Sequence, residues 1–214
     1  MKHVCLCRLI LLATLSCILV TASQARERGN NNITSGKHIL MLGLTDNVRS
    51  NFFSKLMITE EMGVNEDMID KEYNSIIMEN IMTSANGTCK FIPVCAETSA
   101  PEWISMIRVE GEADKCYSDV SMVPSDDYRN VLDMAGAEYL LVLNQHYLKL
   151  QEKPMLTLFH IVSYTLFDKD QNEVYRGSGY FTSINPERPD KLKKISVKTS
   201  SRIASTITNQ IKTN

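Results

Sequence analysis

The chain has 214 residues, 23 basic side chains against 25 acidic ones, and 43% apolar content. A chain of this size builds one closed core with room for an embellishment. The near-even charge balance lacks the basic excess of a nucleic-acid footprint, so nucleic acid is excluded as the main partner.

Lys2, His3 and Arg8 form a short basic head, and Leu9 to Val20 is an apolar run of 12. Ser23-Gln24-Ala25 follows, with small side chains at its two ends. A spanning helix needs about 20 residues, so residues 1–25 read as a secretory signal peptide cleaved after Ala25. Export argues against ATP-driven metabolism and gene regulation. A second reading competes inside the same stretch. Thr14-Leu15-Ser16-Cys17 is similar to a bacterial lipobox, in which the cysteine is lipidated. Ser16 and Cys17 fit that pattern, whereas Thr14 and the continuing Ile18-Leu19-Val20 depart from it. Membrane association is expected only with lipidation at Cys17, because one acyl chain binds marginally and several hold.

Residues 26–37 are polar, with Gly29 and three consecutive asparagines, and read as a flexible leader. Residues 38–214 are expected to form a single α+β domain with an insertion around 96–118. His38 to Leu44 predicts a buried strand. Thr45 to Gly63 reads as a long connection with an extended piece near Phe52 to Ile58. Asn65 is a good N-cap, and Glu66 and Asp67 suit a first helical turn. Met68, Ile69, Tyr73, Ile76, Ile77 and Ile81 then predict an amphipathic helix over 66–83. Phe91 to Val94 predicts a short strand, at a sheet edge because of Pro93. Trp103 to Val109 reads as a further strand inside the insertion.

Cys5 and Cys7 leave with the signal, as does Cys17 unless it is lipidated, so Cys89, Cys95 and Cys116 remain. An oxidising compartment allows one disulfide among them. Cys95–Cys116 closes the more useful loop, worth about 3 kcal/mol in the chain-entropy account. Three buried small apolar residues is the other reading. No CxxC spacing supports a redox or zinc motif. Asn32-Ile33-Thr34 and Asn86-Gly87-Thr88 are glycosylation sequons, relevant only in a eukaryotic host.

Val120 to Val123 leads through Pro124 to a capped helix from Ser125 that stops at Gly136. Three long strands follow, from Tyr139 to about Leu150, Met155 to Phe167 and Val174 to Thr182. Their tight connections at Gln151–Pro154 and Asp168–Glu173 predict an antiparallel meander. Leu192, Ile195, Ile203, Ile207 and Ile211 predict a last helix with a basic outer face. The order β-α-β-insertion-β-α-β-β-β-α implies an α+β fold. It has one mixed sheet, a C-terminal three-stranded antiparallel meander, and helices packed mainly on one face.

From Asp126 onward the chain resembles a group of envelope domains. A short capped helix runs into Ala135-Gly136-Ala137-Glu138-Tyr139-Leu140-Leu141-Val142-Leu143, and Asp168-Lys169-Asp170-Gln171-Asn172 joins two long strands. Glu173-Val174-Tyr175-Arg176-Gly177 and a closing helix follow. This resembles the TolB N-terminal domain, the periplasmic domain of the curli secretion channel, and the lipoprotein activators of penicillin-binding proteins. The resemblance implies an envelope interaction domain. Thr45–Gly63 and Thr98–Ser118 are longer than the compact form of that fold, and no membrane-inserting hairpin is present to imply a pore.

Candidate chemistry is sparse. Asp168-x-Asp170-x-Asn172 imitates the start of a calcium loop, but Glu173 and Gly179 stand where Gly and Glu are needed. A hairpin turn is the expectation. His146 and His160, on neighbouring strands, can begin a metal site only with further ligands, His38 being a conceivable one. Gly177-Ser178-Gly179 lacks the nucleophile-elbow spacing and reads as close packing. Lys191, Lys193, Lys194, Lys198 and Arg202 read as a solvated face that anionic headgroups or an acidic partner can meet. Phe52 and Phe53 are candidate partner contacts, with packing under the loop as the plainer reading.

The expected protein is therefore an exported, non-enzymatic component of a bacterial cell envelope, periplasmic or associated with the outer membrane. It would act through contact with an envelope protein partner and need no cofactor or metal. The alternatives are a small secreted hydrolase or ligand-binding protein with an unrecognised site, and a surface or adhesive component. A deep pocket with convergent polar groups near His160 would favour the first of these over a filled core.

Overall fold

The computed structural model describes residues 36–85, 87–94 and 102–213. The signal segment with Cys17 and Ala25, the leader through residue 35, both sequon asparagines and Cys95 lie outside the described residues. Residues Lys37–Asn214 make one compact unit.

The main sheet has the order β3-β1-β6-β7-β8. Its strands are β1 (Lys37–Gly43), β3 (Cys89–Pro93), β6 (Tyr139–Gln151), β7 (Thr157–Asp168) and β8 (Glu173–Ser183). β1 runs parallel to β3 and β6, and β6, β7 and β8 form the antiparallel meander the sequence predicts. β2 (Val48–Ser50) extends the line of β1 by pairing with β6 at Val48↔His146. The fold is α+β with a mixed sheet, as expected, and β3 lies at an edge, as Pro93 implies.

β1 and β6 are apolar without alternation because both of their faces are covered. Ile39, Met41, Leu141 and Leu143 enter the larger core with α2 (Ile69–Thr83) and α4 (Pro189–Thr213). Leu40, Leu42, Leu140 and Val142 enter a second core on the opposite face, with Tyr128 and Leu132 of α3 (Ser125–Met134). The two longest helices thus share one face, while α3 covers the other. α2 presents Ile69, Tyr73, Ile76, Ile77 and Ile81, all buried, as their three- and four-residue spacing requires. Gly136 follows α3 at φ +61 and allows Ala137 N–H to reach Leu132 O at 2.8 Å, the ending expected of a C′ glycine.

Three expectations need correction. The connection from Thr45 to Gly63 holds β2 and a helix, α1 (Lys55–Met62), in place of an extended piece at Phe52 to Ile58. Ser54 Oγ caps it by accepting from Met57 N–H at 3.3 Å, and Gly63 closes it at φ +70. Only Ile58 and Met62 are buried on that helix, too few to print a period in the sequence. Trp103 to Val109 is a 3-10 turn (Glu102–Met106) followed by β4 (Arg108–Glu110), because Trp103 and Ile107 enter the second core at a helical spacing of four. β4 pairs with β5 (Tyr117–Asp119), and Val120 and Val123 fill the same core from a turn. Asn65 starts the 3-10 turn Glu66–Met68 that precedes α2, but its side chain makes no capping bond.

Candidate functional site

A polar cluster lies inside the larger core. Tyr73 and Asn74 come from α2, Asn47 from the turn before β2, His146 from β6 and His160 from β7, and all five are buried. His146 Nε2–H donates to Asn74 Oδ1 at 2.8 Å, and Asn47 Nδ2–H donates to the same oxygen at 3.0 Å. Asn74 Nδ2–H in turn donates to Leu44 O at 2.9 Å, which fixes its amide. Tyr73 O–H lies 3.4 Å from His160 Nδ1, and His160 Nε2–H donates to Ser183 Oγ at 2.8 Å. Ser183 passes its own proton toward Asn185 O at 2.6 Å. Burial pushes both imidazoles down to about 3, the neighbouring His160 adding to the effect at His146. Burial also pushes the Tyr73 hydroxyl up, so every member of the cluster is neutral at pH 7. Asn47 Oδ1 and His146 Nδ1 meet no donor among the described residues.

These polar groups converge, and aromatic rings pack against the buried His160. Phe181 stacks on its ring at 4.6 Å with a 10° interplanar angle, and Tyr73 lies 6.3 Å away on a near-parallel ring. His38 is elsewhere, with its Nδ1 at 2.9 Å from Gly136 O. Among the described residues, no three His, Cys, Asp or Glu side chains are placed to hold a metal. The close approach of Asn74 depends on Gly43, where a Cβ would fall 2.3 Å from Asn74 Cγ. Gly43→Ala is expected to lower stability by about 1–3 kcal/mol, the usual cost of overpacking. An unchanged urea midpoint would show that Asn74 does not need this space.

A second polar group seats the segment 102–123 on the opposite face. Asn144 Nδ2–H donates to Cys116 O at 3.1 Å and Thr165 Oγ1 at 3.0 Å, while Asn144 Oδ1 accepts from Ser118 Oγ at 2.7 Å. Gln145 Oε1 accepts from Ala113 N–H at 2.8 Å. Asn144 occupies a register shift between Leu143 and Gln145. Cys116 is buried, and burial pushes its thiol up; with Cys95 outside the described residues, their pairing stays a proposal.

The sequence-level candidates fall in different places. Phe53 is half-buried against the larger core, whereas Phe52 is 55% exposed, its ring edge-on to Phe53 at 5.1 Å. Asn51 ties this pair to the end of β6, its Oδ1 accepting from Leu150 N–H at 2.7 Å. Leu56 on α1, Met155 and Leu156 on the β6–β7 connection, and Ile184 just past β8 are also exposed. The register Gln151↔Thr157 and Leu158↔Ser183 brings Met155, Leu156 and Ile184 to the same end of the sheet as Phe52. Lys37, where the chain enters the sheet, pairs with Cys89 near the start of β6 and so lies at the other end.

Asp168 Oδ1 accepts from Asp170 N–H at 2.8 Å and Asn172 N–H at 2.9 Å, so Asp168–Asn172 is the self-bonded hairpin turn expected of it. Gly177 and Gly179 lie inside β8, and a Cβ on Gly179 would come 2.7 Å from Thr199 Cγ2 of α4. That is the close packing expected of these glycines. Lys191 pairs with Glu187, and Lys193 with Glu79. No helix among the described residues is long and apolar enough to cross a membrane.

The described architecture defines a class, an α+β domain whose five-strand path carries two long helices on one face and a short helix with an inserted segment on the other. No family model matches the chain, and no curated protein matches it. Among solved structures it is similar to the hypothetical protein CT253 from Chlamydia trachomatis, with a TM-score of 0.52 and 11% identity. That match covers 84% of this chain and 100% of the other. The C-terminal domain of LpoB from Salmonella enterica follows at TM-score 0.32 and 12% identity, covering 73% of this chain and 90% of that one. Lipoprotein GNA1162 from Neisseria meningitidis stands at 0.34 and 10%, covering 83% and 99%. The first likeness shows a shared fold; the other two scores fall below that level.

Proposed function

We propose that this chain is an exported cell-envelope protein that works by contact with a protein partner and catalyses no reaction. The observation that carries this reading is the apolar end of the sheet, where Phe52, Met155, Leu156 and Ile184 are exposed together. Met155 is 74% exposed, and large apolar side chains left in water at one end of a sheet are what an interaction surface requires. Export rests on the basic head, apolar run and Ser23-Gln24-Ala25 of the N-terminal segment. Two mature ends fit this reading, Arg26 after cleavage at Ala25, or a lipidated Cys17 that tethers the domain.

A photo-crosslinking side chain at Phe52, used in intact envelopes, is expected to capture one heterologous protein. Leu156→Glu should cut that yield at least tenfold without moving the melting temperature. Recovery of the monomer alone would remove the reading. Mass spectrometry of the mature N-terminus decides between Arg26 and Cys17.

A further inference from the structure

β8 is an 11-residue strand at the end of the sheet order, with no strand on its outer side among the described residues. In an antiparallel strand alternate residues turn both N–H and C=O away from the paired side. Tyr180 is one of these, since its carbonyl accepts from Thr199 Oγ1 of α4 at 2.7 Å. An edge of this length is a template for another strand unless something blunts it. Thr199 takes up one lone pair of the Tyr180 carbonyl and Arg176 stands on the strand, but β8 holds no proline, and Gly177-Ser178-Gly179 keeps its middle narrow.

The helix above supplies the charge. Lys193 and Ser196 of α4 meet Glu79 and Asn80 of α2, and Thr199 and Ile203 sit over Gly179 of β8. At about 100° per residue, Lys198 and Arg202 fall beyond Thr199, on the flank turned away from α2 and toward the open edge. Lys194, Lys198 and Arg202 are exposed at i, i+4 spacing and form one row. None of the three has an ion pair among the described residues. Asp190 stands one turn before Lys194 at the head of the row but forms no ion pair with it among the described residues, and Glu173 is taken up by Arg176 and Glu187 by Lys191.

We infer that the β8 edge, beside the cation row Lys194, Lys198 and Arg202, takes up an extended acidic segment of a protein partner as an added strand. The inference rests on the partner-contact reading above and names the surface and the chemistry of one contact. Main-chain bonds to the edge would supply affinity, and the cation row would select sign and register. A second copy of this chain is a poor occupant, because antiparallel pairing of two β8 edges would bring two cation rows together.

The probe is a fluorescent ten-residue peptide alternating Val and Glu, titrated into the full chain by anisotropy. Its counterpart with Lys for Glu and a copy N-methylated at every second residue, in either phase, are the controls. Saturable binding of the Glu peptide is expected. It should weaken at least tenfold for the Lys peptide, for one N-methylated phase, and for the K194E/K198E/R202E variant. No binding of the Glu peptide overturns the inference, as does equal binding of both peptides. Indifference to N-methylation in both phases reduces the edge to a charged surface and also overturns it. Capture of phosphatidylglycerol vesicles by the cation row, with no peptide bound, assigns the row to a lipid surface instead. In envelopes, a Phe52 crosslink that persists undiminished in K194E/K198E/R202E sinks this inference and leaves the proposed function standing. Absence of any heterologous crosslink in the unaltered chain removes the proposed function itself.

Discussion

Acidification from pH 7 to pH 4 is expected to unfold the domain, and replacing His146 and His160 by Gln to remove much of that sensitivity. Both imidazoles titrate at about 3 in the folded protein, against an ordinary value of 6.5. Between those values the unfolded chain binds protons that the folded chain refuses. Their contribution to stability is therefore complete above about pH 6.5 and falls as the pH drops toward 3. In that window the two groups give a slope of about 2.7 kcal/mol per pH unit, one proton each. Glutamine retains a donor for Asn74 and Ser183 and an acceptor for Tyr73, so the polar contacts of the cluster survive the change. Tyr73 stays protonated throughout and contributes nothing to the slope. The measurement is the urea midpoint at half-unit intervals of pH. Parallel profiles for the double variant and the parent would show that surface carboxylates, such as Asp46 with Lys55, govern acid unfolding instead.

Asn144→Leu is expected to loosen the segment 102–123 and cost at least about 2 kcal/mol. The change leaves Ser118 Oγ and Cys116 O without their shared partner in a buried place, while Thr165 Oγ1 keeps the Ser118 N–H, and each orphaned polar group costs about 1–3 kcal/mol. Trp103 and Ile107 hold the same segment through the second core, so it should loosen without unfolding the main sheet. Limited proteolysis should then cut within 102–123 while the product Lys37–Pro93 remains associated with the rest. Protease resistance equal to that of the parent would mean that the apolar contacts alone hold the segment.

The meander was legible because its signals are local. Apolar runs alternate with Asp168-Lys169-Asp170-Gln171-Asn172 and Glu152-Lys153-Pro154, which close hairpins within a few residues. α2 was legible for the same reason, since Ile69, Tyr73, Ile76, Ile77 and Ile81, five of its eight buried positions, repeat the helical period. α1 was not, because Ser54 and Gly63 bracket it but only two of its residues are buried. The polar cluster was half-visible. Asn144-Gln145-His146 interrupts an otherwise apolar strand and shows that something polar is buried there. His160 was paired with His146 from their neighbouring strands, whereas Asn47 and Asn74 carry no such mark, since a turn and helix packing bring them to His146 from distant parts of the chain. The apolar end of the sheet has the same origin: Phe52 stands out as a pair with Phe53, whereas Met155 and Ile184 join it only through the pairing of β6, β7 and β8.

β1 sits between β3 and β6, and its partner residues on β6 begin at Tyr139, a hundred positions after Ile39. Contacts of such separation form late, since the chain between them must be gathered first. A nascent chain that ends anywhere before Tyr139 lacks the strand that covers one whole side of β1 and supplies the partner of β2. In a protein exported N-terminus first, as proposed, the leading half therefore cannot lock into its finished sheet inside the cell while the second half is still being made. The crossover that builds the mixed sheet thereby keeps the leading half of the chain from completing its sheet until Tyr139 and the strand it begins have been made.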